Sequence, residues 1–280
     1  MVSATQPKTA WMIWCTLSCA LFVLFGAFLS NLWRAWLEDP EFSHGILIPF
    51  IVSYLIWTRR ERLRNQRIDQ PGGLVLVLAG CSLHVLGSLT GTLLFSGAAF
   101  ALTVMGIVLY LWGPNHLRIV AAPVALLMLM VPLPSYFLGH VSWNLQGLAS
   151  TISSAILRLF GVPVFQDGNI LHLSNYVLEV KQACSGSRSI FALLALALLL
   201  GLVGERKWWT RALLVAAAPV LAVGANTVRI VGTGLIARQW GRLAANESLH
   251  ATWGIVVFVL AVMGLLGFQR FLRWAMNEYA

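Results

Sequence analysis

The chain has 280 residues, of which 59% are hydrophobic and only 10% charged, and it carries a net charge of +9. A soluble domain holds about 25% charged residues. No single water-soluble core hides this much apolar surface, so the chain reads as an integral membrane protein. The positive charge does not point to nucleic acid, because the basic residues sit in short clusters between apolar runs, the pattern that orients a protein in a bilayer.

Taken in chain order, apolar runs of spanning length fall at about 11–33, 44–57, 73–89, 93–112, 117–131, 189–203, 212–236 and 250–268. The expectation is an all-α polytopic membrane protein of about eight transmembrane helices, forming one domain over 1–280. Eight crossings put both termini on one side. That side then holds Lys8, Arg59, Arg60, Arg62, Arg64, Arg67, Arg118, Arg206, Lys207, Arg211, Arg270 and Arg273, twelve of nineteen basic residues. Glu38, Asp39, Glu41, Asp167, Glu179 and Glu247 fall on the other. By the positive-inside rule the termini are expected in the cytoplasm. The first run has no small-residue cleavage site and no basic run before it, so it reads as a retained anchor.

The longest outer segment, 132–183, begins where Pro132 and Pro134 end the fifth run. From Ser135 to Phe160, apolar residues recur at helical spacing with Ser, Asn and Gln between them. This pattern predicts a small helix lying at the extracytoplasmic interface. Val162–Phe165, Ile170–Leu173 and Tyr176–Val180 then read as short strands around an Asp167-Gly168-Asn169 turn. This β-element leads directly into Gln182-Ala183-Cys184-Ser185-Gly186-Ser187-Arg188, a lone cysteine in a small polar run at the mouth of an apolar helix.

A thiol at a boundary beside arginine suits a nucleophile. In the predicted topology Arg229 in the seventh run and His250 at the start of the eighth fall near the same outer depth. Imidazole holds a thiol as thiolate near neutral pH, and a fixed guanidinium supplies donors for an oxyanion. Cys184, Arg229 and His250 are therefore sufficient in kind for acyl transfer from a peptide, on helices at about 184–204, 212–236 and 250–268. Each also has a plainer reading: Cys184 as an incidental helix-start residue, Arg229 as a headgroup-reaching cation, His250 as a cap. Arg229 lies several residues inside its run, where charge is costly and usually partnered. Asn226, three residues before it, shares its helix face and is placed to orient Arg229 or the substrate. Arg188 can lower the thiol pKa or pair with Glu179. His44 competes with His250 as base, its plainer reading being an interfacial cap with Ser43 at the N-cap. Cys15, Cys19 and Cys81 have no metal-ligand company and imply no disulfide framework. His84, His116, His140 and His172 are scattered, with His116 expected on the inner side. No metal spacing and no phosphate loop is present in the sequence.

At these residues the chain resembles the exosortase/archaeosortase family. The matching pieces are Phe42-Ser43-His44-Gly45 with Ile48-Pro49, and Val131-Pro132-Leu133-Pro134. Then come Gly161-Val162-Pro163-Val164 through Gly168-Asn169-Ile170 to Val180, and Ala183-Cys184-Ser185-Gly186. Asn226 with Arg229 and His250 with Gly254 complete the set. The ordered set covers most of the chain, and the segment 241–249 is its least distinctive part. The resemblance implies a bacterial multi-pass inner-membrane enzyme that cuts C-terminal sorting signals of the PEP-CTERM type. Such a signal has a short Pro-Glu-Pro-like motif, an apolar span and a basic tail. Its products pass to the cell surface or to an extracellular polymer. Cys184 would be the nucleophile, Arg229 the electrostatic stabiliser and His250 the acid/base, with Ser185, Asn226, Arg188 and His44 in support, on the periplasmic face. The partners it implies are sorting-signal proteins, membrane lipid and the exopolysaccharide machinery. No cofactor and no nucleic acid is expected, and no further soluble C-terminal domain.

Two other classes remain open on sequence. An exopolysaccharide transporter or assembly subunit would need polar residues through the full bilayer depth, whereas here they gather in the outer half and runs three to five are almost free of charge. A membrane O-acyltransferase would lead with His250 and leave Cys184 incidental.

Overall fold

The computed structural model describes residues 7–39, 41–63, 70–174, 176–180, 187–205, 207–240 and 247–276. They belong to two compact units, Met1–Pro134 and Ser135–Ala280.

The first unit contains helices α1 (Pro7–Glu38), α2 (Leu47–Thr58), α3 (Gly72–Thr90) and α4 (Leu93–Ala125), with 3-10 turns at Ser43–Ile46, Arg60–Leu63 and Leu126–Met130. Helices α3 and α4 share the tightest seam. Gly73, Gly80 and Gly87 recur every seventh residue and so stay on one helix face. A Cβ on Gly73 would strike the backbone of Gly106 and Tyr110, one on Gly80 the Thr103 hydroxyl, and one on Gly87 the Ser96 hydroxyl and amide. Lipid removes the hydrophobic drive between helices, and close backbone approach at small residues takes its place.

The run Leu93–Met130 is one continuous apolar stretch by length and composition, yet it folds back on itself. Gly113 adopts φ 79 and ψ −177, a left-handed value that Pro114 follows at the start of the returning segment. In a straight helix Gly97 and Val131 would stand roughly 50 Å apart. Instead a Cβ on Gly97 would meet the Val131 side chain. At the turn end, the Gln70 amide donates to the Tyr110 carbonyl (3.1 Å), Arg59 Nη1 donates to the Ile119 carbonyl (2.9 Å), and His116 Nε2 lies 3.1 Å from the Leu63 carbonyl. At the opposite end Trp36 Nε1 donates to the Met130 carbonyl (2.8 Å). The basic cluster Arg59, Arg60 and Arg62 therefore shares the Gly113 end with His116, while Glu41 and His44 lie at the other. Arg34 stands with the latter, so the charge asymmetry is a majority and not a rule.

The second unit contains α5 (Ser135–Leu159), the strands β1 (Val164–Asp167), β2 (Ile170–Leu173) and β3 (Tyr176–Glu179), and helices α6 (Ser187–Gly204), α7 (Trp208–Trp240) and α8 (Glu247–Ala275). The strands form an antiparallel meander with Asp167 opposite Ile170 and Leu173 opposite Tyr176. Period-two alternation turns Leu171, Leu173 and Leu178 inward, where they join Ala149 and Leu157 of α5 and Ile230 and Val231 of α7 in one core.

Helix α5 occupies the segment 135–160 in which an interfacial helix is expected. It has 25 residues, about 37 Å of helix, and its faces are reversed relative to a soluble protein. Ser142, Gln146, Ser150, Ser153 and Ser154 are buried, while Tyr136, Phe137, Trp143, Leu148 and Leu159 are exposed. An apolar face turned outward is a surface made for lipid. The same holds elsewhere: Phe22, Val23, Phe50, Leu89, Val220, Ile255 and Met263 are exposed on their helices.

Among the described residues five helices are long and apolar enough to cross a membrane, and not eight: Cys15–Glu38, Gly72–Thr90, Leu93–Met130, Trp208–Gln239 and Thr252–Ala275. The difference has two sources. Ser43–Thr58 and Ser189–Gly204 are shorter apolar helices, below the ~20 residues that a 30 Å core asks of one helix. The expected fourth and fifth runs are the two arms of the hairpin bent at Gly113.

At one end of the second unit the three long helices are tied by charge. Glu205 is buried, and its Oε1 accepts hydrogen bonds from Gln269 Nε2 (2.7 Å) and Arg273 Nε (2.9 Å). Its carbonyl accepts Arg211 Nε (2.9 Å) and Nη2 (2.8 Å).

Candidate active site

Helices α6, α7 and α8 pack antiparallel in sequence order. Gly201 of α6 rests on Arg211 of α7, and Gly264 of α8 on Leu221 of α7. Counting equal turns away from the Gly201–Arg211 contact brings the start of α6 level with Asn226. Cys184 and Ser185 precede that start and lie outside the described residues. Arg188 is the second residue of α6 and His250 lies in the first turn of α8, and for both only the helix position is described.

Asn226 and Arg229 occupy the middle of the site. Asn226 is buried and Arg229 half-buried, on neighbouring positions of one face of α7. The Arg229 guanidinium lies against α8: a Cβ built on Gly254 would stand 3.2 Å from its Cζ and 3.4 Å from Nε and Nη2. The Arg229 carbonyl accepts Thr233 Oγ1 (2.9 Å) and Trp253 Nε1 (3.3 Å). The Trp253 indole fits against Gly232, where a Cβ would come within 2.8 Å of it. His250 stands one helical turn before Gly254 on α8, so Arg229 and the His250 backbone share one end of the helix pair. Gly254 is a matching position of the family resemblance with no role attached to it; the close approach that explains it depends on which residue of α7 it faces.

The β-element feeds this end. The Asn169 side chain donates to Gln146 Oε1 (3.1 Å) and to the Val180 carbonyl (3.2 Å), and the Val180 amide donates back to the Asn169 carbonyl (2.9 Å). This clamp fixes the chain four residues before Cys184.

The other singled-out groups lie as follows. His44 lies in the first unit, its ring held by the backbone carbonyls of Leu129 and Glu41. Ser43 is the first residue of the 3-10 turn that follows Phe42 and does not cap it. His84 Nε2 lies 3.0 Å from the Leu24 carbonyl, with the ring tilted over Phe25 at 4.3 Å. His172 meets Phe165 across two strands. Cys15 and Cys19 are exposed on α1, and Cys81 is half-buried on α3. Glu205, at the opposite end, was not singled out by sequence reasoning, although an acid closing an apolar run just before Arg206 and Lys207 was a visible signal.

A polytopic helical protein with outward apolar faces, a half-buried arginine within a helix and a small β-meander ahead of a cysteine is an integral membrane protein with its polar centre at one end of a three-helix group. A protein-family model, that of the transmembrane exosortases, matches residues 36–267. The chain belongs to the transmembrane exosortase family. Neither a curated protein nor a solved structure matches it significantly.

Proposed function

We propose that the protein is a membrane-embedded cysteine peptidase or transpeptidase that cuts C-terminal sorting signals of the PEP-CTERM type. The family supports this reading, and the observation that carries it is the seat of Arg229. A guanidinium half-buried well inside an apolar helix is costly and usually functional, and here it rests on a glycine one turn from His250. The family model runs across both compact units, which supports treating 1–280 as one domain. Counting both arms of the Gly113 hairpin and the two shorter apolar helices returns eight crossings. With Arg59–Arg62 at one end of the first unit and Lys207, Arg211 and Arg273 opposite Arg229 in the second, the reading sets the basic ends in the cytoplasm and Arg229 toward the periplasm of a bacterial inner membrane.

In the proposed reaction the Cys184 thiolate attacks the scissile carbonyl carbon. Arg229 donates hydrogen bonds to the oxyanion that forms, and Asn226 orients Arg229 or the substrate backbone. The C–N bond breaks as protonated His250 gives its proton to the leaving amine. The thioester is then resolved by an amine, a hydroxyl or water, whose proton returns to His250 as the thiolate leaves. Arg188 near the thiol favours the thiolate. The substrates are sorting-signal proteins, and the exopolysaccharide machinery is the expected recipient or neighbour. The test is Cys184→Ala expressed with a sorting-signal protein. Processing should stop while the variant remains in the membrane; continued processing overturns the mechanism. Labelling Cys184 with a maleimide separates this reading from a transporter, which would keep working.

A further inference from the structure

We propose that Trp253 and Gly254 are positioning residues that aim Arg229, with Gly254 setting where the guanidinium stands. The inference rests on the reading of Arg229 as the oxyanion donor. Two adjacent residues of α8 hold opposite ends of one arginine. The Trp253 indole donates to the Arg229 carbonyl at 3.3 Å, and Gly254 leaves the room that the Arg229 Cζ, Nε and Nη2 fill. The indole is itself seated by Gly232, one helical turn beyond the Arg229 backbone it caps. Arg229 is thus gripped at its carbonyl and at its headgroup by the same turn of α8, the turn that follows His250.

The glycine matters because of distance. A Cβ at position 254 would lie 3.2 Å from Cζ, closer than a methyl group tolerates beside a planar guanidinium, so the headgroup would shift by a few tenths of an ångström. Oxyanion donors act over a window of about 2.7–3.1 Å, and a misplacement of about 1 Å costs about 100-fold in rate. A shift of this smaller size predicts about a tenfold loss of kcat for Gly254→Ala. Substrate affinity should barely change, because the donor acts on charge that appears only in the transition state.

The experiment is a double-mutant cycle in proteoliposomes, using the full-length protein and a purified sorting-signal substrate. Cleavage by the wild type, Gly254→Ala, Arg229→Lys and the double variant is followed to give kcat and KM. If Gly254 acts through Arg229, Gly254→Ala lowers kcat about tenfold beside Arg229 and less than twofold beside lysine, with KM within twofold throughout. An equal loss in both backgrounds, or none in either, overturns the inference. Where Gly254→Ala fails to accumulate, Trp253→Phe keeps a ring against Gly232 and deletes the donor. It should cost about threefold in kcat, a loss that disappears in the lysine background; an additive or absent effect again overturns it. Cys184→Ala runs alongside. If that variant still cleaves, the proposed reaction falls and takes this inference with it. If it is dead while the cycle is additive, the seat alone falls.

Discussion

The two ends of the α6–α7–α8 group hold arginine in opposite ways. At one end Arg273 meets a buried carboxylate, and Glu205, Gln269 and Arg211 close the arrangement with hydrogen bonds of 2.7–2.9 Å. At the other end Arg229 meets a glycine and an indole edge. The first arrangement fixes helices by matching charge with charge. At the second, the Arg229 carbonyl accepts the Trp253 indole N–H and the headgroup lies along Gly254. The proposed function uses the charge at the Arg229 end and leaves the Glu205 end to hold the helices together.

Several substitutions sharpen or break this contrast. The largest effect is expected for Cys184→Ala, with loss of all processing measured by immunoblot of a co-expressed substrate. Arg229→Lys keeps the charge and loses the planar fork. Cleavage kinetics should show kcat lower by about 100-fold to 1000-fold, the cost of removing an oxyanion donor, and near-full activity would remove the distinction between the two ends. Glu205→Ala tests the opposite end. Removing one partner of a buried pair costs about 3–5 kcal/mol, and since the Arg273 side chain is 32% exposed, about 2–3 kcal/mol is the better figure. Thermal unfolding in detergent should shift down, while cleavage per folded molecule stays as in the wild type. A catalytic defect greater than the loss of folded protein would mean that the two ends are not separate. Asn169→Ala should have the smallest effect. It deletes two hydrogen bonds, one to the Val180 carbonyl, worth about 1 kcal/mol each, and is expected to slow cleavage several-fold with little change in the amount of protein in the membrane.

Much of the frame was legible from residue order, and the reasons are physical. The strands around Gly168 were readable because alternation of Leu171, Leu173 and Leu178 is a local signal, and the helix over Ser135–Leu159 because its period is local too. What periodicity does not say is which stripe faces in. In α5 the serine stripe Ser142, Ser150, Ser153 and Ser154 faces inward and the apolar stripe outward, an orientation the spacing alone leaves open. The two arms of 93–130 were separable because Gly113-Pro114 interrupts the apolar run; the number of crossings was harder, because Ser43–Thr58 and Ser189–Gly204 are apolar but shorter than a single spanning helix. The Arg229 seat needed knowledge of which α8 residue meets which α7 residue. Helical spacing put Asn226 and Arg229 on one face, but the register between helices is a tertiary quantity. Glu205 and Arg273, 68 residues apart, were hidden by that same gap. The assignment of Cys184 came from chemistry and family likeness, and the carbonyls of Glu41 and Leu129 that hold the His44 ring are a tertiary feature that spacing does not give.

The bend at Gly113 has a consequence for handedness of insertion. Each crossing reverses the side on which the next one begins, so the side reached by every later residue depends on whether the total before it is odd or even. On the proposed eight-crossing topology, Gly113 adds one to that total with a single left-handed torsion. On the proposed topology, a residue that straightened it would change the parity of everything after it and deliver Arg229, Gly254 and His250 to the opposite compartment. The address of the site is thus written more than a hundred residues before the site itself.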